Sequence, residues 1–242
     1  MSLNQRSKDL RKQAIKLSKA NGGYHFGGSF SCAEILIDLY DSILNSDDLF
    51  ILSKGHGCWV YYCLLIEKGF SPKLEGHPHY DPKNGIYCTT GSMGHGFPTA
   101  IGLALSKKLK KESGKIYVIL GDGECQEGTT WESLLIAGKL QLDNLVVIID
   151  NNKIQGSGNT PEILDAVPTL MIAARSSNWE VYEIDGHDQS IIETLRSKAL
   201  KPRLIDAQTI KGYGISFMEN TVKWHSNWLN DEMETRAMGE LS

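Results

Sequence analysis

Two places in this chain put oxygen-bearing side chains where a ligand could gather them. The apolar run IYVIL ends in Gly121-Asp122-Gly123, and the apolar run LVVIID ends in Asn151-Asn152-Lys153-Ile154. Asp122 offers a hard anionic oxygen, Asn152 a neutral amide oxygen, and the main chain of Ile154 a carbonyl. Magnesium takes a few such oxygens and completes its shell with phosphate oxygens and water. The glycines flanking Asp122 permit unusual backbone angles and let a ligand approach closely. Taken alone, Gly-Asp-Gly also reads as a strand-to-helix turn capped by the aspartate. The pair says more. Residues 124–150 contain one helical pattern, so the unit is βαβ, and Asp122 and Asn152 sit on adjacent or near-adjacent strand ends. A nucleotide site fits poorly: GDGECQEG lacks GxGxxG spacing, and the stretch from Gly123 to Thr129 lacks the P-loop lysine.

The elements that must hold these residues follow from the apolar pattern. A first helix is predicted from Leu3 to about Ala20, with Leu10, Ala14 and Leu17 at helical spacing. Its basic residues, Arg6, Lys8, Arg11, Lys12, Lys16 and Lys19, read as a solvated face. CAEILIDLYDSIL predicts a second helix, DDLFILS a short strand and WVYYCLLIEKG a third helix. A loop-rich stretch follows from Ser71 to Gly96. The second half alternates: strand IYVILGD, helix TTWESLLIAGKLQ, strand LVVIIDNN, helix TLMIAARSS, strand WEVYEIDG, helix QSIIETLRSKAL, strand RLIDAQTI. Continuous apolar strands separated by helices predict an α/β fold, a parallel sheet with helices on both faces. Ligands bind such sheets beyond the carboxyl ends of the strands, where Asp122, Asn152 and Lys211 fall.

The chain has 242 residues, of which 41% are hydrophobic, and a formal net charge of -4. No linker composition interrupts it, so residues 1–242 are expected to form a single domain. The charge balance does not suit nucleic acid or an anionic membrane as partner. No apolar run is long enough to cross a bilayer, and MSLNQRSKDLRKQ has no secretory apolar region. The five cysteines form no CxxC pair. They suit a reducing cytoplasm and packing roles rather than a disulfide framework or zinc.

Several blocks resemble the transketolase family. GDG followed by NN at this distance resembles the thiamine diphosphate motif. GDGECQEGTTWESLLIAGKLQLDNLVVIIDNNKIQ resembles the corresponding transketolase stretch along its whole length. GYHFGGSFSCAEIL is similar to the family's Gly-His-Pro-Gly-Gly opening, ILSKGHGCWVYYCLL to its Leu-Ser-x-Gly-His block, and EGHPHYDPKNGIYCTTGSMGHGFPTAIGLALS to its Gly-His-Pro and Thr-Gly-Ser-Leu-Gly-Gln-Gly segments. TIKGYGISFMEN and the later WHSN resemble its Lys-Gly-x-Gly stretch and late histidine. The blocks occur in order over nearly all of the chain.

The resemblance implies a role for each matching residue. Asp122, Asn152 and the Ile154 carbonyl hold magnesium. His56 binds the cofactor diphosphate, with Gly123 and Asn152 against it. Gly91, Ser92 and Met93 form the loop near the aminopyrimidine and thiazolium rings. His25, His77 and His225 line the substrate channel and handle protons, and Glu127 takes part in a carboxylate contact between two cofactor sites. His79 and His187 receive no role; His187 in IDGHD reads as a cap for the next helix. The chain departs from the family pattern at Met93, at His95 in place of glutamine, and at Phe26 in place of proline, where a reshaped channel entrance is expected. The resemblance covers only the diphosphate-binding domain. It therefore implies a companion chain carrying the pyrimidine-binding domain, in a closed assembly of two copies of each chain. Phe97 and Met93 are expected to face that companion. The implied activity is transfer of a two-carbon ketol unit from a ketose, expected to be phosphorylated, to an aldose. A subunit of a 2-oxoacid dehydrogenase or deoxyxylulose phosphate synthase type, or a non-catalytic relative, stands as the alternative.

Overall fold

A computed structural model describes residues 4–242. Helices α1 (Gln5–Ala20), α2 (Phe26–Ser31) and α3 (Ala33–Asp38) precede strand β1 (Leu49–Leu52). Helices α4 (Cys58–Glu67) and α5 (Gly96–Lys110) lead to β2 (Ile116–Gly121), and α6 (Gly128–Lys139) leads to β3 (Leu145–Asn151). A short hairpin, β4 (Ile154–Gln155) and β5 (Gly158–Asn159), precedes α7 (Thr160–Leu164) and α8 (Ala166–Ser176). Then come β6 (Glu180–Asp185), α9 (Ser190–Arg196), β7 (Arg203–Gln208) and α10 (Asp231–Glu240).

Five strands form one sheet in the order β1-β2-β3-β7-β6, every pair parallel. Side chains alternate across a strand, and here both faces are covered. Tyr117, Ile119, Val146, Ile148 and Ile205 join a core built with α1 to α4 and α9. Ile116, Val118, Leu120, Val147, Ile149 and Leu204 join a second core with α5, α6 and α8. That is why β2 and β3 read as unbroken apolar runs and are buried throughout. Gly121 lies opposite Asp150 and Asn151 opposite Gln208, so the carboxyl ends of β2, β3 and β7 finish nearly level.

Several local expectations are corrected. The predicted second helix is α3 followed by a π turn, Leu39–Ile43, closed by Leu44 N–H donating to the Leu39 carbonyl at 2.8 Å. The extra residue in that turn leaves Leu39 and Tyr40 both buried. Helices α2, α5 and α10 carry no clean sequence signal. Gly27 and Gly28 mask α2, and Pro98 obscures α5 although it falls in the first turn, where its missing N–H is tolerated. Arg11 is not on a solvated face: it is wholly buried and paired with Glu34 at 2.7 Å. Phe26 packs on Phe30 in the core rather than at a channel entrance. Phe97 is also a core residue, set edge-on to Trp179, so it does not face a companion. Leu3, the predicted start of α1, lies outside the described residues. No helix among the described residues is long and apolar enough to cross a membrane.

Candidate functional site

A cavity of about 330 Å³ opens beyond the carboxyl ends of β1, β2 and β3. Asp122, at the end of β2, is 3% exposed. One oxygen accepts the Gly123 N–H at 2.8 Å and caps the short turn Gly123–Gln126. The capping use of this aspartate is therefore present, but it engages one oxygen. The other oxygen lies 3.3 Å from the Thr160 hydroxyl. Burial, and then the charge of Asp150, push the Asp122 carboxyl above the usual carboxylate range.

The double asparagine divides its work. Asn151 turns away and donates to Asp206 at 2.8 Å. Asn152 donates its amide N–H to Asp150 at 3.2 Å, and its oxygen accepts the Ile154 N–H at 3.1 Å. Lys153 between them takes a left-handed conformation, φ 65°. Beyond that bend, the Ile154 carbonyl accepts from the Lys211 ammonium at 2.9 Å. A carbonyl already holding one cation, an amide oxygen and a buried carboxylate thus face one cavity. Among the described residues no cluster of three His, Cys, Asp or Glu could hold a metal. The donor set fits a hard divalent ion whose remaining ligands come from phosphate and water.

Beneath this set, Lys54 and Asp150 form a wholly buried ion pair. Lys54 also donates to the Gly28 carbonyl at 2.7 Å and the Ser31 hydroxyl at 3.2 Å. Burial opposes both charges, but each partner more than offsets it, so Lys54 stays protonated and Asp150 ionised. The satisfied donors and acceptors make the pair a rigid floor.

Imidazoles surround the mouth. His25 sits in a left-handed conformation, φ 68°, at the start of α2, and its Nδ1 faces the His225 carbonyl. Its ring centre lies 5.5 Å from His56, 5.9 Å from His77 and 5.4 Å from His225. His56 and His225 are 4.9 Å apart. Burial lowers all four pKa values. For His225 the nearby Lys211 adds to burial and brings it to about 3. A histidine held neutral in the fold contributes stability above its unfolded pKa of about 6.5. That contribution fades as pH falls toward the folded value. The melting temperature is therefore expected to drop between pH 7 and pH 4, and His225→Gln should lessen the drop. Equal drops in the two proteins, measured by circular dichroism, would rule out this source.

The structure brings His25, His56, His77, Gly91, Met93, Asp122, Gly123, Asn152, Ile154 and His225 to this one cavity. Gly91 is required there: its φ is +135°, and an added Cβ would lie 3.1 Å from the His77 ring. Ser92 does not line the cavity; its hydroxyl meets His95 Nδ1 at 3.2 Å on the exposed side. His95 and Glu127 also lie off the lining. His187 does not cap α9, whose first N–H groups include Ser190 bonded to Asp188 at 2.7 Å. His79 is an exposed loop residue near Glu75. Sequence reading missed Lys54 and Glu124 as cavity residues, and it marked Lys211 at a strand end without giving it a role. Lysines at SKGH and at the end of β7 carried the signal, since a cation placed between apolar segments needs a buried partner.

A parallel sheet with a carboxylate, an amide, a main-chain carbonyl and imidazoles gathered in one cavity at its strand ends defines an α/β protein with a polar cavity beyond the sheet. Residues 6–240 match the family model described as "Transketolase, thiamine diphosphate binding domain", and the chain belongs to that family. It is 40% identical, across 99% of its own length and 95% of the relative's, to a chain named as one subunit of the apulose-4-phosphate transketolase of Actinobacillus succinogenes. It is 35% identical to 6-deoxy-6-sulfo-D-fructose transketolase subunit SqwG of Clostridium sp. strain MSTE9, covering 96% of that protein. The crystal structure of transketolase from Campylobacter jejuni superposes with a TM-score of 0.85 at 27% identity. The match covers 98% of this chain but 42% of that one.

Proposed function

We propose that this chain is the diphosphate-binding subunit of a two-chain, magnesium- and thiamine diphosphate-dependent transketolase. The observation that carries the reading is the convergence of Asp122, Asn152 and the Ile154 carbonyl on one cavity ringed by His25, His56, His77 and His225. Relatives named as single subunits of a transketolase match it end to end, which supports a separate companion chain. Residues 1–242 then act as one unit, and the companion supplies the pyrimidine-binding domain. Five unpaired cysteines support a reducing, cytoplasmic setting.

Asp122, Asn152 and the Ile154 carbonyl would hold magnesium against the diphosphate. His56 and the buried Lys211 ammonium would face diphosphate oxygens, with Gly123 allowing close approach. Gly91 and Met93 would flank the rings, and Glu127 would serve the carboxylate contact between paired sites. Thiamine diphosphate, when bound, would supply the carbanion chemistry that ketol transfer needs. Cleavage beside that carbonyl needs a proton taken from a sugar hydroxyl and returned to an oxygen. His25, His77 and His225 are neutral at pH 7 and so ready to accept it. The negative charge of a bound diphosphate would raise their pKa values toward working pH. The substrates are a ketose and an aldose, free or phosphorylated.

The test is alanine replacement of each of these three histidines in the assembled enzyme. Turnover is expected to fall on the order of 10²–10⁴-fold, with cofactor affinity nearly unchanged. A His225→Ala enzyme at full rate would remove His225 from the scheme.

A further inference from the structure

His187 has no part in that scheme, yet it is among the most firmly held histidines of the fold. It follows β6 in IDGHD, where Asp185 accepts its main-chain N–H at 2.8 Å and turns the chain. Its ring is 7% exposed and stacks on Tyr213 with centres 3.7 Å apart. Nδ1 lies 3.0 Å from Glu34, and Nε2 accepts the Ile210 N–H at 2.8 Å. A ring nitrogen that accepts from a main-chain N–H carries no proton, so the proton is on Nδ1 and is donated to Glu34. Glu34 is also gripped by Arg11 at 2.7 and 3.0 Å. Burial works against its charge, but Arg11 and His187 outweigh burial and hold the carboxyl down to about 2. Arg11 is itself anchored to the Tyr213 and Phe30 carbonyls, both at 2.8 Å.

The far end of this chain of bonds is Ile210, the residue before Lys211. On the other side, Gly212 N–H donates to the Gly27 carbonyl at 3.0 Å. The main chain is thus pinned on both sides of Lys211. The lysine's ammonium then reaches the cavity wall, 2.9 Å from the Ile154 carbonyl and 3.3 Å from His225 Nδ1.

We propose that His187 is a positioning residue of the cofactor site: locked by Glu34 and Arg11, its bare Nε2 fixes Ile210 and so aims Lys211 at the cofactor diphosphate. The proposal rests on the functional reading above. A ring that served only to stabilise the fold would have no energetic coupling to Lys211. Two substitutions separate the ring nitrogens. His187→Gln places an acceptor near the position of Nε2, whereas His187→Asn reaches only the position of Nδ1.

Thiamine diphosphate is titrated by calorimetry into the enzyme assembled with its companion, at saturating magnesium. Wild type, His187→Gln and His187→Asn are compared, each also in a Lys211→Met background. His187→Asn is expected to weaken binding about tenfold, the effect of one lost buried hydrogen bond, and His187→Gln by no more than about twofold. In the Lys211→Met background, His187→Asn should add nothing, because residues acting through one another are not additive. The same tenfold loss in both backgrounds, or none in either, overturns the proposal while leaving wild-type binding intact. No binding by wild type itself overturns the functional reading, and this proposal with it. Because His187→Asn could fail to fold, the tautomer is also read in the wild-type chain by ¹⁵N-histidine NMR at pH 7. A protonated Nδ1 and a bare Nε2 are expected; a proton on Nε2 overturns the proposal.

Discussion

Asp122→Ala is expected to abolish measurable thiamine diphosphate binding in the assembled enzyme. Asp122 is the one carboxylate in the proposed metal set, and the other two donors are neutral. Without it, a divalent cation would sit in a buried cavity beside an amide and a carbonyl, with Lys54 and Lys211 close by. Removing one partner of a desolvated charge pair costs about 2–5 kcal/mol. That loss falls on the metal and, through it, on the diphosphate. The ligand-free fold should suffer less. There the carboxylate accepts one capping N–H and a weak bond from Thr160, and burial already disfavours its charge. Calorimetry showing unchanged affinity, in a variant that melts like wild type, would sink the metal assignment.

The purified chain, supplied with magnesium, thiamine diphosphate, a ketose phosphate and an aldose phosphate, is expected to show no sustained ketol transfer. Adding the companion chain should restore it. The chain covers 95% of a relative named as one subunit of its enzyme but 42% of the Campylobacter jejuni transketolase chain. Its cavity borders Met93, which is 52% exposed. A cofactor bound there by this chain alone would remain open to water, which quenches carbanions. Large apolar side chains also stand exposed on nearby helices, among them Leu135 and Ile136 on α6 and Ile172 on α8. Multiple turnovers by the isolated chain would show that its sites are completed without a companion.

Much of the fold was legible because parallel strands buried on two faces leave unbroken apolar runs, as in β2 and β3. The βαβ unit between Asp122 and Asn152 followed from that pattern, and the level strand ends bear out the geometry. What stayed hidden depends on contacts distant in sequence. Arg11 reads as one more basic residue of α1 until Glu34, Phe30 and Tyr213 close around it. Phe97 reads as a loop aromatic because Gly96 and Pro98 hide the start of α5, yet it packs on Trp179. Lys211 lies at a strand end the pattern marked, but its place in the cavity depends on bonds to Ile154 and to the elements flanking it. The resemblance names Asn152, but that Asn151 turns away to Asp206 depends on the strand geometry.

Two lysines, Lys54 and Lys211, stand against three carboxyl groups, Asp122 and Glu124 on the cavity wall and Asp150 beneath it. A magnesium ion and a diphosphate bound together would each offset the charge the other brings. In the proposed site each ligand would therefore lower the cost of the other, and the linkage would be reciprocal. On the proposed function the pocket would act as an AND gate, favouring joint occupancy by magnesium and diphosphate over either one alone.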